Sequence, residues 1–424
     1  MNKVLIITYY WPPSGGAGVQ RWLKFAKYLP QYGWQPHIYT PENPEAPATD
    51  TSLEKDVPPE AVIVKRKIFE PYSFYKKFTG KKGNVNAGFL SEDKDSRKKW
   101  TERLSIWIRG NLFIPDARVM WVKPSIKFLE KYIVENDIKI VVSTGPPHSM
   151  HLIANALKKK LDIKWIADFR DPWTNIDFYK DLMLTPFSDR KHHRLEQMVL
   201  KNADEVITIG NTMAQELAAL RKADVRVITN GYDEDDFKGY KHTKNKGFNI
   251  VHTGSINADR NHAIFWKALS KLCRENSKFA EDLTITFVGK LDYSVYDDLE
   301  KSGLKSKTRI VKYLPHNQIV EYMFEADVLY LPLNNTPNAK GVLSGKFFEY
   351  LAVGRPIIGI GHPAGDAAEI MKESQAGVIV DFDDLQGFTE ALWKFYSEKD
   401  KDFHSRGREK YSRRQLTAEL IKLF

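Results

Sequence analysis

Thiol is almost absent from this chain: Cys273 is its single cysteine. One cysteine excludes an intrachain disulfide framework and any zinc site built on thiolates. Long apolar runs are absent too, and no stretch approaches the ~18–20 residues that a membrane-spanning helix needs. The run over residues 4–10 is too short for the apolar part of a secretion signal and has no small-residue cleavage site behind it. A cytoplasmic protein is the expectation. Glycine (25) and proline (21) are too few among 424 residues for a fibrous or low-complexity chain. The H-E-x-x-H spacing of helix-borne zinc sites is also missing.

What is present has an ordinary balance, with 42% hydrophobic and 28% charged residues. The length predicts two or three domains at roughly 100–200 residues each. The net charge is +10. Most of the excess sits in residues 65–103, where 12 basic residues face 5 acidic ones. Phe69, Tyr72, Phe74, Tyr75, Phe78, Phe89 and Trp100 are interleaved with them. Such a segment either lies on an anionic membrane surface or is a solvated loop with aromatics folded inward. No nucleic-acid motif accompanies the charge, so no nucleic-acid partner is expected.

Residues 3–8 form a short continuous apolar run, as in a strand buried on both faces of a parallel sheet. A turn with Gly15, Gly16 and Gly18 follows. Then comes a helical pattern over 19–32 that should stop at Gly33, and a strand over 35–40, making a βαβ unit. Further strands are predicted at 139–143, 164–168, 205–209 and 225–228, with helices at 149–160, 190–201 and 212–220. Residues 230–249 are polar and read as a linker. The pattern restarts with strands at 248–253, 283–288, 309–313, 327–331, 356–360 and 377–380. Helices at 261–275, 293–302, 316–325 and 344–353 separate most of them. The expected domains are therefore 1–228 and 249–402, joined by a linker at 229–248. A basic helical segment over about 403–424 should pack back on the first. Residues of about 40–120 match no pattern.

Four clusters carry chemistry. Glycines between a buried strand and a helix let backbone N–H groups approach a phosphate. The G-x-G-x-x-G fingerprint is matched only in part, because Arg21 stands at its third glycine, which argues against a dinucleotide-dependent dehydrogenase. His148 and His151 lie one helical turn apart after a predicted strand, where open α/β sheets bind ligands. Each either faces a ligand or is a satisfied structural histidine. Asp168, Arg170 and Asp171 follow another strand. They either orient a polyol or phosphate or pair with one another. In the second half, Gly254, Ser255, Arg260 and Asn261 follow a strand, and residues 338–346 lead into a helix that contains Glu349. A Gly/Ser loop with Lys340, Lys346 and a helix N-terminus makes an anion site. Glu349 could accept both hydroxyls of a ribose. Asp381 and Asp383 match a D-x-D metal motif superficially and read as a polar turn, with Asp384 as a helix N-cap.

Together with residues 228–233 (Ile-Thr-Asn-Gly-Tyr-Asp) and 344–356 (Ser-Gly-Lys-Phe-Phe-Glu-Tyr-Leu-Ala-Val-Gly-Arg-Pro), these clusters resemble glycosyltransferase family 4. These are the retaining enzymes of bacterial polysaccharide and glycolipid synthesis. The resemblance implies the GT-B fold, two Rossmann-like α/β domains with parallel sheets facing an interdomain cleft. It implies transfer of a sugar from a nucleotide-diphosphate sugar to a saccharide or lipid-linked acceptor, with retention and without a metal or other cofactor. Arg260 and Lys346 would hold the diphosphate and Glu349 the ribose. Backbone amides at Gly16, Gly254, Val342, Leu343 and Ser344 would complete the donor site. His148 would face the transferred sugar, and Asp171 joins it as the expected catalytic pair. One departure is Gly341, eight positions before Glu349, where many members carry a second glutamate that contacts the sugar. Another is the lysine that usually partners the first cation, because Lys267 falls inside a predicted helix. Location on the inner face of a membrane is expected if the basic segment binds lipid. The runner-up readings are a nucleotide-sugar epimerase and a non-enzymatic basic binding protein.

Overall fold

The computed structural model describes residues 1–45, 49–69, 96–242, 246–312, 314 and 316–424. The chain divides into two compact units. The first comprises residues 1–209, 213–229 and 416–424, and the second residues 210–212 and 230–415.

The first unit is built on a parallel sheet of β1 (Asn2–Ile7), β2 (Trp34–Pro41), β3 (Val62–Arg66), β4 (Ile140–Gly145), β5 (Lys164–Phe169), β6 (Glu205–Thr208) and β7 (Arg226–Val227). Their order is 3-2-1-4-5-6-7. Val4 is paired with Pro36 on one side and Ile140 on the other. The central strands are apolar without alternation because helices cover both faces, which removes any solvent side. The core gathers Ile6, Trp22, Leu23, Phe25, Val142 and Ile166, together with Leu416 and Leu420 from the far end of the chain. Each such large side chain, fully buried, contributes roughly 1.5–3 kcal/mol.

The first helix, Ala17–Tyr28, is shorter than its apolar pattern. Pro30 has no N–H to continue the ladder, so the chain tightens into a 3-10 turn over Leu29–Tyr32. Gly33 closes it in the left-handed region at φ 79, as its position in the sequence implies. The expected 190–201 helix starts earlier, at Pro186. The Thr185 side chain caps it by accepting from Ser188 N, and proline suits the first turn.

The second unit repeats the arrangement. Its strands are β8 (Phe248–Thr253), β9 (Leu283–Val288), β10 (Thr308–Val311), β11 (Val328–Pro332), β12 (Ile357–Ile360) and β13 (Gly377–Val380). They are all parallel, in the order 10-9-8-11-12-13. Phe248, Phe265, Trp266, Phe287, Tyr330 and Phe388 centre its core. Both orders reverse once, between β1 and β4 and between β8 and β11. Ligands of such sheets bind at the carboxyl ends of the strands that flank this reversal.

Lys267 lies inside the helix Ala263–Glu275 with its side chain exposed. The helical segment expected over 403–424 is confined to a 3-10 turn, Arg408–Tyr411, and the helix Arg413–Ile421. Gly407, at φ 63, interrupts anything longer. Residues 230–248, read as a linker, belong to the second unit and contain a 3-10 turn at Glu234–Phe237.

Candidate functional site

In the second unit, β8 is followed directly by Gly254, whose φ of +112 suits glycine alone. A Cβ at this position would collide with the Lys346 side chain, so the missing atom is the space that Lys346 fills. Gly289, at the matching end of β9, has φ +140, and a Cβ there would strike the Gly254 carbonyl. Gly254 thus leaves room for the Lys346 side chain, and Gly289 lets the ends of β8 and β9 lie close together.

Lys346 belongs to the first turn of the helix Gly345–Val353. Ser344 caps this helix, its Oγ accepting from Phe347 N at 3.4 Å. The Val342 amide turns inward to Ala339 O at 3.3 Å. The amides of Leu343, Ser344, Gly345 and Lys346 have no acceptor among the described residues. Four open N–H groups at the positive end of a helix, beside an ammonium group, make an anion site. Desolvation lowers the Lys346 pKa, Glu349 opposes that, and Arg260 adds to it. These three side chains therefore sense one another.

Arg260 is fixed by a residue that no motif marked. Its Nε donates to Asn334 Oδ1 at 2.5 Å, and its NH1 to Ser255 O at 3.4 Å. Beneath the cations lies His252, 2% exposed on β8. Its Nδ1 is 2.9 Å from Tyr330 O, so that nitrogen carries the proton, and Nε2 is buried without a partner. Burial, with the charges of Lys346 and Arg260, pushes the His252 pKa down to about 3. The histidine is neutral and adds no positive charge.

In the first unit, Gly16 precedes the helix Ala17–Tyr28 at φ 98 and is exposed. The cluster of Asp168, Arg170 and Asp171 resolves into three roles. Asp168 pairs with Arg21, not with its neighbour: Arg21 NH2 is 2.9 Å from Asp168 Oδ1, with 1% and 0% of the side chains exposed. Trp22 Nε1 and Thr144 Oγ1 donate to the same carboxylate at 2.7 and 2.8 Å. Arg170 donates to Gly18 O at 2.7 Å, to Gly145 O at 3.3 Å and to Pro146 O, tying the glycine loop to the turn before His148. Asp171 remains exposed. Desolvation by the surrounding protein raises its carboxyl pKa, and Arg170 opposes the rise.

The two histidines part company. His151 is fully buried, with Nδ1 2.8 Å from Ser143 Oγ, which also accepts from Trp165 Nε1 at 2.8 Å. It belongs to the core, and burial takes its pKa to about 3. His148 keeps 8% exposure, at the residue before the helix Ser149–Lys158. Its Nδ1 is buried without a partner, which leaves Nε2 as the nitrogen open to solvent. Its ring stacks on Trp173, 4.6 Å between centroids and 6° from parallel. Burial, then His151 and Arg170, hold its pKa well below the usual value. His148 is therefore a neutral imidazole at pH 7.

Gly145 has no side chain because a Cβ would sit 2.8 Å from His148 Nδ1 and 2.6 Å from His151 Nε2. Asp116, in the stretch that matched no pattern, occupies the N-terminus of the Ser149–Lys158 helix. It accepts from Ser149 N and Ser149 Oγ, each at 2.8 Å. That helix end is thus filled by a carboxylate of the chain itself. Asp384 caps the helix Leu385–Ser397 through Gly387 N at 2.8 Å, and Asp381 accepts from Phe382 N at 2.7 Å. Of the basic aromatic segment, residues 70–95, and the side chains up to 102, lie outside the described residues, so Tyr72, Phe74, Tyr75, Phe78, Phe89 and Trp100 are not placed.

Two family models match the chain. "Glycosyltransferase Family 4" matches residues 90–236, and "Glycosyl transferases group 1" matches residues 247–398. No curated protein sequence matches at a significant level. Among solved structures, a glycosyltransferase from Rickettsia africae ESF-5 is 14% identical with a TM-score of 0.63, covering 100% of this chain and 97% of its own. HepE of Anabaena, solved with UDP and glucose, is 12% identical with a TM-score of 0.54, covering 100% and 96%. WaaG, a glycosyltransferase involved in lipopolysaccharide biosynthesis, is 12% identical with a TM-score of 0.53, covering 98% and 93%. With two Rossmann-like parallel sheets, and the two family models together spanning residues 90–236 and 247–398, the chain belongs to the family 4-type glycosyltransferases of GT-B fold.

Proposed function

We propose that this enzyme moves a sugar from a nucleotide-diphosphate sugar to a saccharide or lipid-linked acceptor, with retention and without a metal ion. The observation that carries the reading is Lys346, laid over Gly254 beside Arg260 and the open amides of Leu343 to Lys346. Breaking a glycosyl–phosphate bond leaves negative charge on the diphosphate. Arg260, Lys346 and the helix end would stabilise it as it develops. Glu349 would take the ribose hydroxyls. The complex of HepE with UDP and glucose supports a donor of this chemical class.

His148, neutral and with Nε2 open, would donate to or accept from sugar hydroxyls without placing charge beside them. In the cluster that closes β5, Asp168 is bound to Arg21 and Asp171 alone is exposed, so these two do not form the carboxylate pair that double displacement uses. The acceptor would then attack from the leaving-group side, its proton passing to the departing phosphate oxygen.

A lipid-linked acceptor is supported by apolar side chains left in solvent. Leu104, Trp107 and Leu112 are exposed on the helix Ser96–Leu112, as are Phe178 and Phe187 nearby in the chain fold. Asn111 donates to Met183 O at 3.2 Å and accepts from Thr185 N at 2.7 Å, tying that helix to the segment carrying both phenylalanines. No helix among the described residues is long and apolar enough to cross a membrane.

The test is a thermal-shift screen against UDP-, GDP- and ADP-sugars, with and without EDTA. A donor at 100 times its Kd should stabilise the protein by about 2.7 kcal/mol. A shift that needs added magnesium or manganese would overturn metal independence, and no shift with any nucleotide sugar would overturn the donor class.

A further inference from the structure

The loop after β5 carries Trp173, the platform under His148, and this loop does not hold itself in place. Trp173 is 3% exposed, and its Nε1 donates to His192 Nδ1 at 3.1 Å. The next residue, Thr174, gives both its backbone N–H (3.3 Å) and its hydroxyl (2.6 Å) to the two oxygens of Glu196. His192 and Glu196 are 3% and 2% exposed and lie four residues apart on the helix Pro186–Asn202. At that spacing they are neighbours on one helix face. A single helix face therefore grips two successive residues of the loop through three hydrogen bonds.

A buried carboxylate is costly unless it is satisfied. Burial raises the Glu196 pKa, and the Thr174 hydrogen bonds oppose that rise. Burial likewise lowers the pKa of His192, which stays neutral and able to accept at Nδ1. Two apolar residues would pack here at lower cost. What the polar pair supplies is direction: it fixes the rotation of the indole and hence the plane on which His148 lies.

We infer that Glu196, with His192 one turn earlier, is the positioning residue for His148, acting through Trp173 and Thr174. This rests on the reading of His148 as the group that faces the transferred sugar. In wild type the imidazole has the stacked Trp173 on one face and its buried Nδ1 behind it, so only Nε2 is presented, at one angle. Without Glu196 the Thr174 end of the loop loses its two anchors, and the indole plane is free to tilt. A misplacement of about 1 Å at a reacting group lowers turnover by roughly 100-fold.

The experiment compares Glu196→Leu, Glu196→Gln, Trp173→Leu and His148→Ala with wild type in two assays. The first is steady-state sugar transfer with the donor found in the screen. The second is carbethoxylation of histidines by diethyl pyrocarbonate, read peptide by peptide in the mass spectrometer. For Glu196→Leu, kcat should fall about 10- to 100-fold while donor KM stays within about twofold. Glu196→Gln keeps an acceptor oxygen for Thr174 and should recover most of kcat. The modification rate of His148 should rise several-fold in Glu196→Leu and Trp173→Leu. His37, 2% exposed in the same unit, should stay protected and thereby exclude general unfolding. If His148→Ala loses turnover while Glu196→Leu changes neither kcat nor His148 reactivity, the positioning role is wrong. If His148→Ala retains full turnover, the reading of His148 itself is wrong, whatever Glu196 does.

Discussion

Arg21 and Asp168, 147 residues apart in sequence, form a buried ion pair in which Arg21 Nε lies 3.2 Å from both carboxylate oxygens and NH2 lies 2.9 Å from one. A third nitrogen, NH1, donates to Thr229 O at 2.9 Å. The pair joins the first helix to the end of β5 and to Thr229, just beyond β7. Removing one partner leaves an uncompensated buried charge, which costs about 3–5 kcal/mol. Arg21→Met and Asp168→Asn should each lower the unfolding free energy by that order. The double replacement Arg21→Met with Asp168→Asn should cost less than the sum of the single changes. Urea denaturation of the four proteins measures this, and additive losses would contradict a direct pair. The same carboxylate has a pH signature. Burial alone would raise its pKa, but Arg21 and its donors hold it below the usual range. A depressed folded pKa gives stability that is present above the unfolded value and is lost as pH falls through the folded one.

Lys346→Met should weaken nucleotide binding by about 1.5–3 kcal/mol, the worth of a hydrogen bond to a charged group. The fold should hold, because Lys346 forms no ion pair among the described residues that its loss would orphan. Calorimetric titration with the nucleoside diphosphate gives the affinity, and an unchanged Kd would remove Lys346 from the site. Desolvation lowers the pKa of this amine, so affinity should decline at a pH below that at which a free lysine loses its proton.

Gly254→Ala should act on Lys346 without touching it. The new methyl would need the volume that the lysine chain occupies, at a backbone φ that strains any side chain by about 1–3 kcal/mol. The expected result is weaker nucleotide binding together with a lower melting temperature. A variant that melts lower yet binds normally would show that Lys346 can lie elsewhere and still serve.

Acid should destabilise the protein from about pH 6.5 downward, earlier than carboxylate titration alone. His148, His151 and His252 have folded pKa values depressed chiefly by burial, the last two to about 3. The unfolded chain takes up their protons below about 6.5 while the folded one does not. Each such group contributes a slope of up to about 1.4 kcal/mol per pH unit through that window. Denaturation curves at pH 7.5, 6 and 5 should show the decline, and a flat stability between 7.5 and 5 would mean that these imidazoles take up protons as readily in the folded state as in the unfolded one.

Sedimentation with phosphatidylglycerol vesicles should carry the protein down at low salt and release it as salt rises, while neutral vesicles bind it weakly. At ~0.15 M salt, charges are screened beyond about 8 Å. Replacing Trp107 and Phe187 by serine tests the exposed apolar side chains, and replacing Lys76, Lys77, Lys81 and Lys82 by glutamine tests the basic segment. If neither variant sediments less than wild type, these surfaces are only solvated.

The doubly buried strands β1, β4, β5 and β8 are legible in the sequence because each holds a short, mostly apolar run, which suits a strand covered on both faces. β3 is not, since Val62–Arg66 is five residues long with two exposed at its end, too little pattern to separate it from a loop. The cation cluster of the second unit is legible from Arg260, Lys346 and the capped helix that follows Ser344. Its support is not, since Asn334 stands 74 residues from Arg260, and neither in the first unit is Asp116, which stands 33 from Ser149. Spacing carries no information about such contacts, which exist only after the sheet has brought the segments together. Arg21 shows the converse. In the sequence it reads as the loss of a fingerprint glycine, and in the fold it is the partner that Asp168 requires.

Leu416 and Leu420 complete the core of the first unit, yet residues 230–415 separate them from the rest of that unit. On the ribosome this imposes an order of events. The first unit emerges early but lacks two of its core side chains until the whole second unit has been translated, roughly 10–40 s later at ~5–20 residues per second. During that interval a pocket of its apolar core stands unfilled. The second unit has every strand of its sheet in hand before Leu416 is made, so the half encoded later is the half that can close first.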